Sequence, residues 1–192
     1  VLIIYRIFPG IGSMGNAAIW IAFAPIATIS KDYYNTSTTA INMLSVVYLI
    51  LYVPGTYLAS FLFVRMGLRS ALLWTNIICM IGAALRYASA KNDTDPTAGG
   101  YPLLLIGQAL AGLVQPVYVN ASAKIASTWF KLESRDVATT IASLFNPVGT
   151  GLGSAIPPML VTANGGMPFL LLGQFLYMAV CVVLVFFFLH DK

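Results

Sequence analysis

Six apolar stretches, each long enough to cross a bilayer and none carrying an acidic residue, constrain this chain more than any other feature. They run roughly over 7–30, 41–64, 70–90, 101–127, 137–161 and 167–189, each close to the ~20 residues a helix needs to span hydrocarbon. In that solvent every backbone polar group must be paired within the segment or its bundle, so each stretch is predicted to be a helix. Only 8% of the residues are charged and 59% are hydrophobic, a balance that a soluble domain could not hide. The predicted fold class is an all-α membrane protein, one domain over 1–192 with six transmembrane helices. Its first partner is the lipid bilayer.

Charge placement then assigns the sides. The interruptions are Lys31–Thr36, Arg65–Arg69, Lys91–Pro96, Lys131–Asp136 and the turn Asn164-Gly165-Gly166. Arg6, Arg65, Arg69, Lys131, Arg135 and Lys192 collect on one side, with Lys124 just inside it. Lys31 and Lys91 lie on the other, with Arg86 near that boundary. Positively charged loops stay in the cytoplasm, so both termini are expected there. The acceptor sequences Asn35-Thr36-Ser37 and Asn92-Asp93-Thr94 fall in the two loops assigned outside, which agrees. The net charge of +4 is scattered between apolar blocks and forms no stripe, so no nucleic-acid partner is expected. Arg6 and the long apolar continuation argue against a signal peptide. Cys79 and Cys181 lie deep in apolar runs and are expected to pack as small hydrophobes.

The chemistry of the spans points to binding and away from catalysis. The one histidine, His190, follows the last span, so no membrane-buried serine has a histidine partner, and no carboxylate lies in any core. No catalytic residue, metal site or cofactor is expected, and the chain is not expected to be an enzyme. What the cores hold instead is Trp20 and Gln115, both about 20 Å along their spans and so near the midplane. Tryptophan usually sits at the headgroups, and a central amide needs a partner, so both are candidates to line a path for solute. Packing and interhelical hydrogen bonding are the competing readings. Asn16 and Tyr118 are further candidates of the same kind. The spans are rich in Gly and Pro: Gly10, Gly12 and Gly15 in the first, Pro54-Gly55 in the second, and Asn146–Gly153 with Pro157-Pro158 in the fifth. Close helix packing is predicted, with bends at the prolines.

Several strings resemble one family of membrane carriers. These are Asn16–Pro25, Ile41–Tyr48, Gly67-Leu68-Arg69, Gly107-Gln108 through Gln115, Ala123–Phe130 and Asn146–Gly149. They resemble the feline leukaemia virus subgroup C receptor-related and disrupted-in-renal-carcinoma-like transporters, a branch of the major facilitator superfamily. The loop Arg65–Arg69 is similar to the superfamily's charged hinge and keeps Arg65, Gly67 and Arg69, while Ser60 and Val64 stand where that hinge has a glycine and an acid. The resemblance implies that the six helices are the N-terminal half of a twelve-helix transporter, a 3+3 inverted repeat whose C-terminal half is absent from this chain. It implies alternating-access transport of a small organic solute, whether a choline-like amine, haem or a vitamin B6-type compound, at the plasma or lysosomal membrane. It also implies Trp20 and Gln115 as substrate contacts, with Arg65, Gly67 and Arg69 as a gating loop. A non-transporting six-helix receptor, scaffold or regulatory truncation is the alternative.

Overall fold

The computed structural model describes residues 9–91, 100–162 and 165–189. The described residues are helical almost throughout: α1 Pro9–Ile21, α2 Ala27–Tyr33, α3 Thr38–Arg65, α4 Gly67–Lys91, α5 Gly100–Leu113, α6 Gln115–Trp129, α7 Arg135–Leu160 and α8 Met167–Phe188. Four helical segments are long and apolar enough to cross a membrane: Thr38–Arg65, Gly67–Ala90, Gly100–Thr128 and Met167–Phe188. The other two stretches differ in kind. The first is broken into α1 and α2, and the fifth, α7, is long but carries Thr139, Thr140, Ser143, Asn146, Thr150 and Ser154.

Proline explains both interruptions. Pro25 has no N–H, its ring clashes with the carbonyl four residues back, and it disfavours helix in the preceding residue. The chain therefore leaves the helix at Ala22 and resumes at Ala27, after a tight turn in which the Ala24 amide donates to the Ile21 carbonyl at 3.0 Å. Pro116 does the same in the fourth stretch, where Val114 is the single non-helical residue and the Val117 amide donates to Val114 at 3.1 Å. Pro54, Pro147, Pro157 and Pro158 stay inside uninterrupted helices. The full breaks fall at Pro25 and Pro116, which the sequence does not single out as bends.

Small residues decide which helices touch. α1 lies along α7, α4 along α5 and α8, and α3 along α5 and α6. A methyl group on Gly149 would strike the Met14 backbone, and one on Gly153 would come within 2.6 Å of the Ala18 backbone. Gly151 between them faces open space, so the glycines one turn apart form the contact face. Gly82 and Gly107 similarly bring α4 and α5 backbone to backbone, each methyl position falling 2.5 to 2.6 Å from the other's carbonyl oxygen. Large apolar side chains such as Leu49, Ile50, Val53 and Tyr57 on α3 and Phe169, Leu176 and Phe187 on α8 are exposed, as expected of surfaces that face lipid.

The loops sort onto two ends. At one, Tyr33 and Tyr101 donate to the carbonyls of Ala90 and Ala40, both at 2.7 Å, and Gly100 packs on Tyr34. Burial pushes the Tyr34 hydroxyl up to about 12, opposed by its 3.0 Å hydrogen bond with Ser89, so it stays neutral. Asn35 is exposed there and adopts positive φ, which asparagine tolerates. At the other end, α3 and α4 join through Met66 alone, and Gly67 takes a φ of 75°. Arg69 donates from Nη2 to the Phe186 carbonyl at 3.1 Å, and Arg135 donates to the carbonyls of Ser127 and Phe130 at 3.0 and 3.2 Å. Both arginines thus serve carbonyls at helix C-termini, where a cation is favoured. The asparagine of the second acceptor sequence, Asn92, lies outside the described residues, as do Arg6, His190 and Lys192.

Candidate functional site

The two helix breaks lie side by side and serve one another. The last carbonyls of α1 and α5 lose their intrahelical donors, and a buried carbonyl needs a partner. Asn16 on α1 donates from Nδ2 to the Ala111 carbonyl at 2.8 Å, in the last turn of α5. Gln108 on α5 donates from Nε2 to the Trp20 carbonyl, in the last turn of α1, at a long 3.4 Å. Each amide stands five residues before the last residue of its own helix, so the arrangement is reciprocal. Both are fully buried.

Trp20 and Gln115 flank these breaks. Trp20 is the penultimate residue of α1 and Gln115 the first of α6. The indole Nε1 donates to the Ser45 carbonyl at 3.3 Å, and its ring lies 6.4 Å from that of Tyr48 at a 38° tilt. Half-buried, Trp20 packs on a cluster that includes Tyr48, Val114 and Tyr118. Gln115 is also half-buried, and its side chain makes no hydrogen bond among the described residues. Asn16 and Tyr118, by contrast, are enclosed: the Tyr118 hydroxyl donates to Asn76 Oδ1 at 3.1 Å, and Asn16 Nδ2 also approaches Cys79 Sγ at 3.5 Å. Neither reaches solvent in this conformation. Of the loop residues, Arg65 and Gly67 are exposed, while Arg69 is anchored to α8.

Two cavities lie elsewhere in the bundle. An apolar crevice of about 210 Å³ opens between α1, α7 and α8, lined by Met14, Gly15, Ile156, Phe169 and Gly173, with Gln174 as its polar member. A second space of about 450 Å³ lies at the Asn35 end between Tyr33 and Thr162. Neither includes Trp20 or Gln115. No cluster of three metal-binding side chains occurs among the described residues, and the cysteines are buried and unpaired.

Residues 10–192 match the Major Facilitator Superfamily. The chain belongs to that superfamily. Within it, the chain groups with the feline leukaemia virus subgroup C receptor-related carriers. Solute carrier family 49 member A3 of Xenopus tropicalis is 36% identical over 78% of this chain and 32% of its own length. The choline/ethanolamine transporter FLVCR1 of Mus musculus is 32% identical over 86% of this chain and 28% of its own. The choline/ethanolamine transporter FLVCR2 of Homo sapiens is 29% identical over 78% and 27%. This facilitator chain therefore spans about a third of the length of the curated relatives it matches. It is an integral, multi-pass membrane protein of a family of solute carriers.

One buried residue escaped the reading of the sequence. Arg86, placed near the outer boundary by its axial position, is wholly enclosed between helices. The signal available was an arginine inside an apolar run, in itself a functional flag in membrane proteins. Its direction around the helix could not be read from α4 alone.

Proposed function

We infer that this chain is the N-terminal six-helix half of a carrier that moves a small organic solute by alternating access, with both termini on the cytoplasmic side. The single observation that supports this best is that Trp20 and Gln115 sit at helix breaks in the first and fourth spans. In carriers built from inverted repeats, discontinuous helices near the midplane mark the solute site. One pair of contacts supports a 3+3 repeat: exchanging spans one with four and two with five turns the α1–α7 contact into the contact of α5 and α6 with α3. The same exchange turns the Asn16 bond into the Gln108 bond. In this reading α1–α2 and α7 complete the crossings made by the four long apolar segments. Trp20 and Gln115 form the wall, while Asn16 and Tyr118 brace it from behind. Arg65, Gly67 and Arg69 make a short hinge tied to α8.

The solute class that fits this wall is a choline-like amine. An indole face attracts an organic cation by about 0.5–2 kcal/mol when water is excluded, and two of the similar proteins are named choline/ethanolamine transporters. At about 1.4 kcal/mol per tenfold, loss of the ring weakens binding up to about thirtyfold. The test is concentration-dependent choline and ethanolamine uptake by the full-length protein, normalised to cell-surface amount, with pyridoxine and haem as comparison solutes. W20F is expected to keep part of the affinity and W20A little. Q115A should lose less, because water can replace an amide. Well-expressed W20A with unaltered kinetics would overturn the assignment.

A further inference from the structure

Arg86 is fully buried, and none of its Nε, Nη1 and Nη2 atoms has a hydrogen-bond partner among the described residues. Its stem lies against Gly107 of α5, where a methyl group would come within 2.9 Å of the Arg86 Cγ. Its guanidinium sits 5.2 Å from the centre of the Phe23 ring, inside the α1–α2 break. A ring face attracts a cation but accepts no hydrogen bond in the guanidinium plane. The ionisable side chains that feel its charge are Tyr48, Tyr34 and Cys79, all uncharged groups at neutral pH. Among the described residues no carboxylate answers it, and the one ion pair there joins Lys31 and Asp32 at the surface. The Tyr48 hydroxyl is likewise buried without a partner.

Arginine stays charged in proteins, and a buried unpaired charge is among the most costly features a fold can carry. Water could satisfy the donors, but it would leave the charge without a counter-ion among the described residues. We propose that Arg86 is an anion site, taking one compact monovalent anion such as a halide or formate in the plane of its guanidinium beside the α1–α2 break. Several orphaned donors around one positive charge are the donor set such an ion requires. Full enclosure by Phe23, α4 and α5 sets the size limit, so bulky anions are excluded. Where the solute is a cation, as proposed above, a bound anion also removes the repulsion that a buried positive charge exerts on it. That consequence rests on the choline-like reading, but the site itself does not.

The experiment measures thermal unfolding of the full-length protein in nanodiscs of neutral lipid, in sodium chloride, formate and gluconate at matched ionic strength. Chloride and formate are expected to raise the melting temperature saturably, by about 3 °C over gluconate. R86Q should show no difference between the salts, whatever its absolute stability. R86K, which keeps the charge and loses the planar fork, should need about tenfold more chloride for half the effect. Equal melting temperatures of the wild type in all three salts would mean that water alone solvates Arg86, and would overturn the proposal. So would an anion response unchanged in R86Q. If R86Q yields no protein, retention of radioactive chloride by wild type and R86K decides: equal affinity in the two, or no retention, also overturns it. None of these readouts involves transport, so the site can stand or fall apart from the solute.

Discussion

At the scale of single residues, the amides in the core have separate tasks that burial distinguishes. Asn16 is enclosed and spends its donor on a carbonyl freed by the break before Pro116, so in this conformation it ties two spans together. Asn16→Ala is expected to cost about 1–3 kcal/mol, because the Ala111 carbonyl is then buried without a donor. The measurement is melting temperature and surface amount in the full-length protein. Solute affinity should change little in whatever protein reaches the membrane, and a raised KM at full stability would instead make Asn16 a contact. Tyr118→Phe removes a hydroxyl from Asn76 and should behave likewise, with a smaller loss of about 1 kcal/mol. Gln108 is the weaker half of the reciprocal pair, at 3.4 Å, and should cost less than Asn16 when replaced by alanine.

At the scale of elements, α7 owes its place to the absence of side chains on one face. Gly149 and Gly153 let it lie against the backbone of α1, and Gly151 on the opposite side touches nothing. Gly149→Ala and Gly153→Ala should each destabilise by about 1–3 kcal/mol through overpacking. Gly151→Ala should be neutral or slightly stabilising, since alanine is the better helix former by about 1 kcal/mol. Thermal unfolding of the three variants side by side tests this, and equal losses at all three positions would mean that the glycines serve flexibility and not contact. The same logic explains the fourth span, where Gly55 of α3 meets the Leu113 carbonyl and Pro116 of the break. There a glycine on one helix accommodates a distortion in another.

At the scale of the molecule, basic loops gather at one end and the exposed acceptor Asn35 at the other. Single cysteines beside Asn35 should react with an impermeant reagent applied to intact cells, while cysteines beside Arg65 or Lys131 should react only after permeabilisation. The reverse pattern would invert the topology. One end is also the more tightly tied, because Arg69 bridges the α3–α4 hinge to α8. A bundle built from closely packed helices with two adjoining breaks has what rocking requires: stiff elements and a few places where the backbone can change direction.

Hydropathy and charge are local properties, and they sufficed for the helical membrane class and for marking the apolar stretches and the turns between them. The resemblance in short strings likewise sufficed for the superfamily, since motifs are contiguous in the chain. The sequence also pointed to close packing along Asn146–Gly153, but not to Gly149 and Gly153 as the contact with Gly151 facing open space. It did not show which prolines break their helices. Pro25, Pro54, Pro116 and Pro147 look alike in sequence, and only at Pro25 and Pro116 does the chain leave the helix; there Asn16 and Gln108 from the opposite spans serve the carbonyls left without intrahelical donors. Nor did it show the direction of Arg86: position along α4 follows from counting, but whether a side chain meets lipid, water or the crossing at Gly107 depends on how neighbouring helices are rotated. Rotation is decided by contacts between residues far apart in the chain, and for that reason the buried charge was visible only in the tertiary structure.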